Sequence, residues 1–361
     1  MAWLFLGVVA LPVATLLYVA GQRLAPYVLE PVPTSVEQAP PPAPRWRLSS
    51  RHLLALRAGA AVAVLAVVAL GVSRWPQAAP RPKAVPPAAE VQLPVPIALK
   101  VRTRFGADGS GPAELHEPRD IAVDPAGNVY IADTGNKRIL KFTPDGSPAG
   151  AWTTSLTEPS ALAVAKDGIV VDDSETGHLH KFDFAGKPVP GFERDLGLSH
   201  SRGIAAGPDG VIYAGDTANN RILKVAPDGA PLGAFDTKGT KLEQPTGVAV
   251  DEQGSIYSIE PAASRIQKFA PDGALQAHLY LPTAVTVFPP RAIWIPGRGL
   301  TVTLPDQNEL LTYGPAGVPQ ATFAPEAPAP LRPLGLALAP DGQSVWVVWN
   351  NSATVTLLLW P

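Results

Sequence analysis

This sequence predicts an all-β fold, a six-bladed β-propeller of four-stranded blades preceded by two transmembrane helices, on three observations. Glycines in equivalent turns recur at Gly127, Gly168, Gly210, Gly254, Gly299 and Gly342, spaced 41 to 45 residues apart. Each interval holds short apolar alternations between Pro-x-Gly turns, the pattern of antiparallel strands. Two long apolar runs precede the periodic part, at 3–20 and 58–72. A four-stranded unit of about 40–45 residues buries its faces only by stacking with its neighbours, and closing the stack into a ring removes the open ends.

The first run, Trp3 to Ala20, carries no charge and is close to the roughly 20 residues that cross a bilayer. No basic residue precedes Leu4, which favours a retained span over 1–22 rather than a cleaved signal peptide. The second run becomes long enough, over 53–75, if Arg57 snorkels to the interface, with Trp75 at headgroup level. Between the two lies a Pro/Arg-rich loop, 23–52, holding Arg23, Arg45, Arg47 and Arg51, with Arg57 just beyond. The positive-inside rule places it in the cytoplasm. A multi-pass cell-membrane protein with an extracytoplasmic propeller is the expected localisation. A proline-rich stretch, 76–94, reads as a stalk of polyproline-II character, and the propeller occupies 95–361.

Charge separates the same segments. Residues 1–93 carry eight Lys/Arg against three Asp/Glu, whereas 94–361 carry 21 against 28. An acidic large domain argues against nucleic acid as a partner. The chain has no cysteine, which removes disulfides, thiol catalysis and Cys-ligated metal centres.

Within the first unit, strands are expected at about 119–124, 128–133, 137–142 and 148–153, with Pro-Ala-Gly and Pro-Asp-Gly supplying the turns. Echoes begin at Pro159, Ser201, Pro245, Pro290 and Pro333. The last unit supplies only three strands, so the apolar segment Val95 to Phe105 is expected to close it. The approach Phe105-Gly-Ala-Asp-Gly-Ser-Gly, Pro118-x-x-Ile-Ala-Val-Asp, Val129-Tyr-Ile-Ala-Asp133 and Asn136-Lys-Arg-Ile139 resembles an NHL repeat. Ile212-Tyr-Ala-Gly-Asp216 with Asn219-Asn-Arg-Ile222 repeats it. The resemblance covers 105–273, fades in the fifth unit and is partial in the sixth, where Trp349 replaces the strand-end aspartate.

One face of such a ring consists of uniform glycine turns, which architecture alone requires. The other is built from variable loops. There the residue after each blade opening reads Arg119, Ser160, Arg202, Thr246, Arg291 and Leu334. Three guanidiniums around one axis suit an anionic ligand, or else nearby Asp120, Glu117, Glu158 and Glu243 pair with them. His116 and His200 fall in face loops just ahead of two of these arginines. The NHL resemblance implies lyases that set histidines and arginine around a channel zinc, and two such histidines are found here rather than three. Asp133 with Arg138, Asp216 with Arg221 and Glu260 with Arg265 share a spacing of five and read as structural blade pairs. His178 and His180 lie on one side of a strand, and read as surface imidazoles. No P-loop, dinucleotide fingerprint or serine elbow is present.

The expected role is a binding scaffold for a protein or small anionic ligand on the top face. The alternatives are a metal-assisted lyase or lactone hydrolase at the channel mouth and an accessory subunit of a membrane complex. No cofactor is predicted, and a divalent metal in the channel stays open.

Overall fold

The computed structural model describes residues 93–153, 156–282, 288–314, 317–325 and 332–360, all within one compact unit, Pro86–Pro361. The expected spans over 1–22 and 53–75, the loop over 23–52 and nearly all of the stalk lie outside these residues. Among the described residues no helix is long and apolar enough to cross a membrane.

The chain enters through β1 (Ile97–Phe105) and then lays down antiparallel sheets in sequence order. The first sheet is β2 (Asp120–Val123), β3 (Val129–Asp133), β4 (Arg138–Phe142) and β5 (Pro148–Trp152). The second has three strands, β6 (Pro159–Ala165), β7 (Gly168–Asp173) and β8 (His178–Phe182). The third is β9 (Ile204–Ala206), β10 (Ile212–Asp216), β11 (Arg221–Val225) and β12 (Pro231–Ala234). The fourth is β13 (Gly247–Val250), β14 (Ile256–Glu260), β15 (Arg265–Phe269) and β16 (Leu275–Tyr280). Two further sets follow, β17 (Ala292–Ile295), β18 (Gly299–Leu304), β19 (Glu309–Tyr313) and β20 (Pro319–Pro325), then β21 (Pro333–Leu338), β22 (Ser344–Trp349) and β23 (Thr354–Leu359).

The three-stranded second sheet departs from the four-stranded expectation. A single bridge, Phe182 to Pro188, stands where its outer strand would run. Pro190 explains this, because it has no N–H to give to a ladder, whereas Pro188 stands where Pro148 and Pro231 begin full outer strands.

The opening strands touch in a cycle: β2 meets β6, β6 meets β9, β9 meets β13, β13 meets β17, β17 meets β21, and β21 returns to β2. This is a propeller-like ring around a central channel. Strands one step out, such as β3, β7, β18 and β22, are buried along their whole length because neighbouring blades cover both faces. Outer strands such as β12 are exposed throughout. The turns at the far face work as the sequence suggests. Asp124 accepts the N–H groups of Ala126 and Asn128 at 2.9 Å, and Gly127 takes φ +86°, which a side chain would resist.

Closure uses β1. It pairs antiparallel with β23, Val101 opposite Leu358 and Phe105 opposite Val355. It also pairs in parallel with β20 over Ile97 to Leu99, which the sequence did not suggest, so the last two sets become one eight-stranded sheet. Leu99 is buried there with Phe323, Trp349 and Leu358. The seam between first and last sheets is filled by Leu115, Ile131 and Phe142 against Trp346, Val348 and Val355.

Candidate functional site

The approach loops of four blades make the same local manoeuvre. Glu117, His200, Gln244 and Arg332 take φ of +48°, +52°, +49° and +50°, each immediately before its blade-opening residue, Pro118, Ser201, Pro245 or Pro333. A left-handed conformation is costly for a residue with a side chain, so its recurrence marks a backbone held by surrounding bonds. The Arg332 N–H is held by Asn308 Oδ1 at 3.1 Å, and in the other three loops a strand-end acid holds the preceding residue. Asp133 Oδ1 accepts the His116 N–H at 2.6 Å, Asp216 Oδ1 the Ser199 N–H at 2.8 Å, and Glu260 Oε2 the Glu243 N–H at 3.0 Å. In turn Arg138 Nε donates to Asp133 at 2.7 Å, Arg221 Nε to Asp216 at 2.6 Å, and Arg265 Nη2 to Glu260 at 2.8 Å. The three expected blade pairs therefore anchor the loops of the mouth, and all three acids are fully buried.

At the mouth lies a cup of about 630 Å3 whose wall includes Arg119, Ser160, His200, Arg202, Arg291 and Leu334. Five of the proposed ligand-binding residues thus come together. Two lie off the cup. His116 turns outward, its Nδ1 2.9 Å from Asp108 Oδ1, a hydrogen bond that raises it above the ordinary imidazole value. Thr246 is buried below the cup floor, where its carbonyl accepts from Arg291 Nη1 at 3.1 Å.

The three arginines are not equivalent. Arg119 forms an ion pair with Glu158. Arg291 is buried and crosses the channel, its Nη2 donating to the Ser160 carbonyl at 2.9 Å and its backbone N–H to Thr303 Oγ1 at 2.8 Å. Gly203 leaves room beside it: a Cβ there would stand 2.8 Å from the Thr246 carbonyl oxygen and 3.1 Å from Arg291 Nη1. Arg202 is half-buried on the cup wall and has neither hydrogen bond nor ion pair among the described residues.

Two carboxyls accompany Arg291. Burial pushes Asp120 up to about 6 and Asp172 up to about 7, while the Arg291 charge opposes both shifts. Asp120 Oδ2 accepts the Leu162 N–H at 2.9 Å, and Asp172 Oδ2 accepts from Ser160 Oγ at 3.2 Å. Asp172 Oδ1 is buried without a partner. The sequence offers Asp120 as a pairing option for the arginines, whereas the one sequence signal for Asp172 is the doublet Asp172-Asp173. Below this plug the channel narrows to about 50 Å3 and then widens to about 240 Å3 between apolar side chains such as Ile121, Leu162, Ile204, Val248, Ile293 and Leu336. Arg291 therefore divides a cup lined in part by charged side chains from a bore lined by apolar ones. Among the described residues no group of three or more His, Asp or Glu is arranged to hold a metal ion.

The family model of the NHL repeat matches residues 115–142. NHL repeat-containing protein 3 of Homo sapiens is 44% identical over 66 residues, covering 18% of this chain and 19% of that protein. The protein brain tumor of Drosophila melanogaster is 27% identical over 141 residues, covering 37% of this chain and 14% of that one. The chain spans about a fifth or less of the length of these relatives. Among solved structures, virginiamycin B lyase of Staphylococcus aureus matches with a TM-score of 0.54 at 15% identity, over 73% of this chain and 100% of that one. A gluconolactonase of Xanthomonas campestris gives 0.54 at 17% identity, over 75% and 99%. At these identities the likeness is one of fold.

Proposed function

We propose that this chain, an NHL-repeat β-propeller, is a six-bladed binding module whose cup receives a carboxylate or phosphate group of its partner. The observation that carries this is the unmatched charge of Arg202. Arg119 is committed to Glu158 and Arg291 to the Thr246 and Ser160 carbonyls, whereas Arg202 presents a planar fork of donors to a cup large enough for a small molecule or an acidic side chain. A charge-assisted hydrogen bond of that kind contributes about 1.5–3 kcal/mol. Replacing Arg202 by alanine should therefore weaken anion binding by about tenfold to a hundredfold and leave the melting temperature of the unliganded protein nearly unchanged. The check is a thermal-shift titration of parent and variant with citrate, gluconate, glucose 6-phosphate and a glutamate-rich peptide. A shift with the small acids points to a metabolite, one with the peptide alone to a protein partner, and no anion-dependent shift in the parent removes the reading. A shift with zinc or calcium alone would redirect it to the lyase or lactone-hydrolase alternative.

The ring is further proposed to stand outside the cytoplasm, carried by the hairpin over 1–75 and the stalk over 76–94. The support is the arginine-rich segment between two uncharged apolar runs. Protease added to intact spheroplasts should release a fragment of about 28 kDa, the share of the 37.8 kDa chain held by residues 94–361. Full protection of the propeller would reverse the topology.

A further inference from the structure

The wall of the cup changes character around the ring. The opening strands follow one another in a closed cycle, so Arg202, on blade three, stands across the axis from Leu334, on blade six. Above the Arg291 floor, the charged side chains of the wall gather on blades one to three. Glu117 and Arg119 belong to blade one, Glu158 and Glu175 to blade two, and His200 and Arg202 to blade three. On blades five and six the wall is Phe288, Pro289 and Leu334. Leu334 is buried, and Phe288 and Pro289 are half-buried. Asn350 beside them spends its Nδ2 on the Pro118 carbonyl, at 3.1 Å.

The aromatic part of this wall is held in place. The Arg332 guanidinium lies over the Phe288 ring, 4.2 Å from its centroid. Arg332 Nη1 in turn donates to Asn351 Oδ1 at 2.8 Å, and its backbone N–H to Asn308 Oδ1 at 3.1 Å. Phe288 therefore rests on a side chain that is itself anchored.

The charged side sets how much charge a ligand can bring. Glu158 is paired with Arg119, whereas Glu117 and Glu175 are exposed and form no ion pair among the described residues. Arg202 alone offers an uncommitted guanidinium, which balances a single negative charge. A second or third charge on the same ligand would be repelled by Glu117 and Glu175. The opposite side sets the body of the ligand. Hydroxyls brought against Phe288, Pro289 and Leu334 would leave water without gaining a partner, while an aromatic or branched apolar group gains by leaving it. At about 630 Å3 the cup has room for both ends of such a molecule.

We propose that the cup selects small monocarboxylic acids with an apolar body, the carboxylate on Arg202 and the body against Phe288 and Leu334. This rests on the reading of Arg202 as an anion site and specifies which anions that site takes and which it refuses.

The test is calorimetric titration of the full chain in non-ionic detergent, with the heats of empty micelles subtracted. The ligands are hydrocinnamate, its neutral amide, propionate, gluconate and citrate. Hydrocinnamate should bind at least about tenfold more tightly than each of the others, with a more negative heat-capacity change than propionate. Phe288→Ala should cut its preference over propionate to less than about threefold and leave propionate binding unchanged. Leu334→Ala serves the same purpose if Phe288→Ala does not fold. Arg202→Ala should weaken hydrocinnamate about tenfold and leave the amide unchanged. Gluconate or citrate binding as tightly as hydrocinnamate, or a preference that survives both wall variants, overturns this proposal and leaves the anion site standing. Hydrocinnamate and its amide binding alike, or no acid binding at all, overturns both.

Discussion

Exchanging Arg291 for methionine should lower the unfolding free energy by about 3–5 kcal/mol at pH 8 and by far less at pH 5. The substitution keeps much of the side-chain volume but takes from Asp120 and Asp172 the cation whose charge favours their ionised forms, and from the Thr246 and Ser160 carbonyls their donor. The sign with pH follows from their carboxyls, which sit at about 6 and about 7 against an ordinary 3.8. A carboxyl raised in the folded state favours folding while it is protonated, and that contribution is lost as pH rises through the folded-state value. Arg291 limits the loss in the parent. Without it both groups must either stay protonated or be charged and unpaired in the interior, so the penalty is small in acid and full above pH 7. Urea unfolding of parent and variant at the two pH values measures it. An equal loss at both would mean that Arg291 acts through its hydrogen bonds to the Thr246 and Ser160 carbonyls rather than through its charge.

A chain cut to begin at residue 106 should fail to form a stable, monomeric ring. β1 supplies the outer partner of β23 and contacts β20, so its removal uncovers two strand edges at once. It also removes Leu99 from among Phe323, Trp349 and Leu358, a loss of about 2–5 kcal/mol if that site behaves like other buried leucines cut to alanine. Gel filtration and a thermal melt decide the matter. A monomer melting within a few degrees of the parent would show that β1 is dispensable, and Leu99→Ala then tests the packing term alone.

The architecture was legible because its determinants are local and repeated. Turn glycines such as Gly127, the alternation of Val129-Tyr-Ile-Ala-Asp133 and the five-residue spacing from Asp133 to Arg138 each state a backbone or pairing requirement within a few residues. The closing role of 95–105 followed from a missing fourth strand. Blade two was less legible, since Pro190 removes a donor from a strand that the period alone predicts. The cup was legible as a set of positions but not as a set of roles. Arg119, Arg202 and Arg291 look alike along the chain. Their difference depends on residues brought in from other blades, Glu158 for the first and Asp120, Asp172 and Gly203 for the last. His180 likewise reads as a surface residue until Glu193, thirteen positions on, folds back over it.

The pairing of β1 with β23 fixes an order of events in synthesis. β1 emerges from the ribosome before any strand it will touch, and Leu358 follows Val101 only after the rest of the ring has been made. At about 5–20 residues per second the wait is on the order of ten seconds or more. Through that interval β1, whose Leu99 is buried in the finished ring, has no partner of its own. The earlier blades can stack as they appear, but the circle is fastened last, by the piece that was made first. A nascent chain of this kind depends on something to hold β1 in the meantime, and holdase depletion should reduce its yield more than that of a variant carrying β1 after β23.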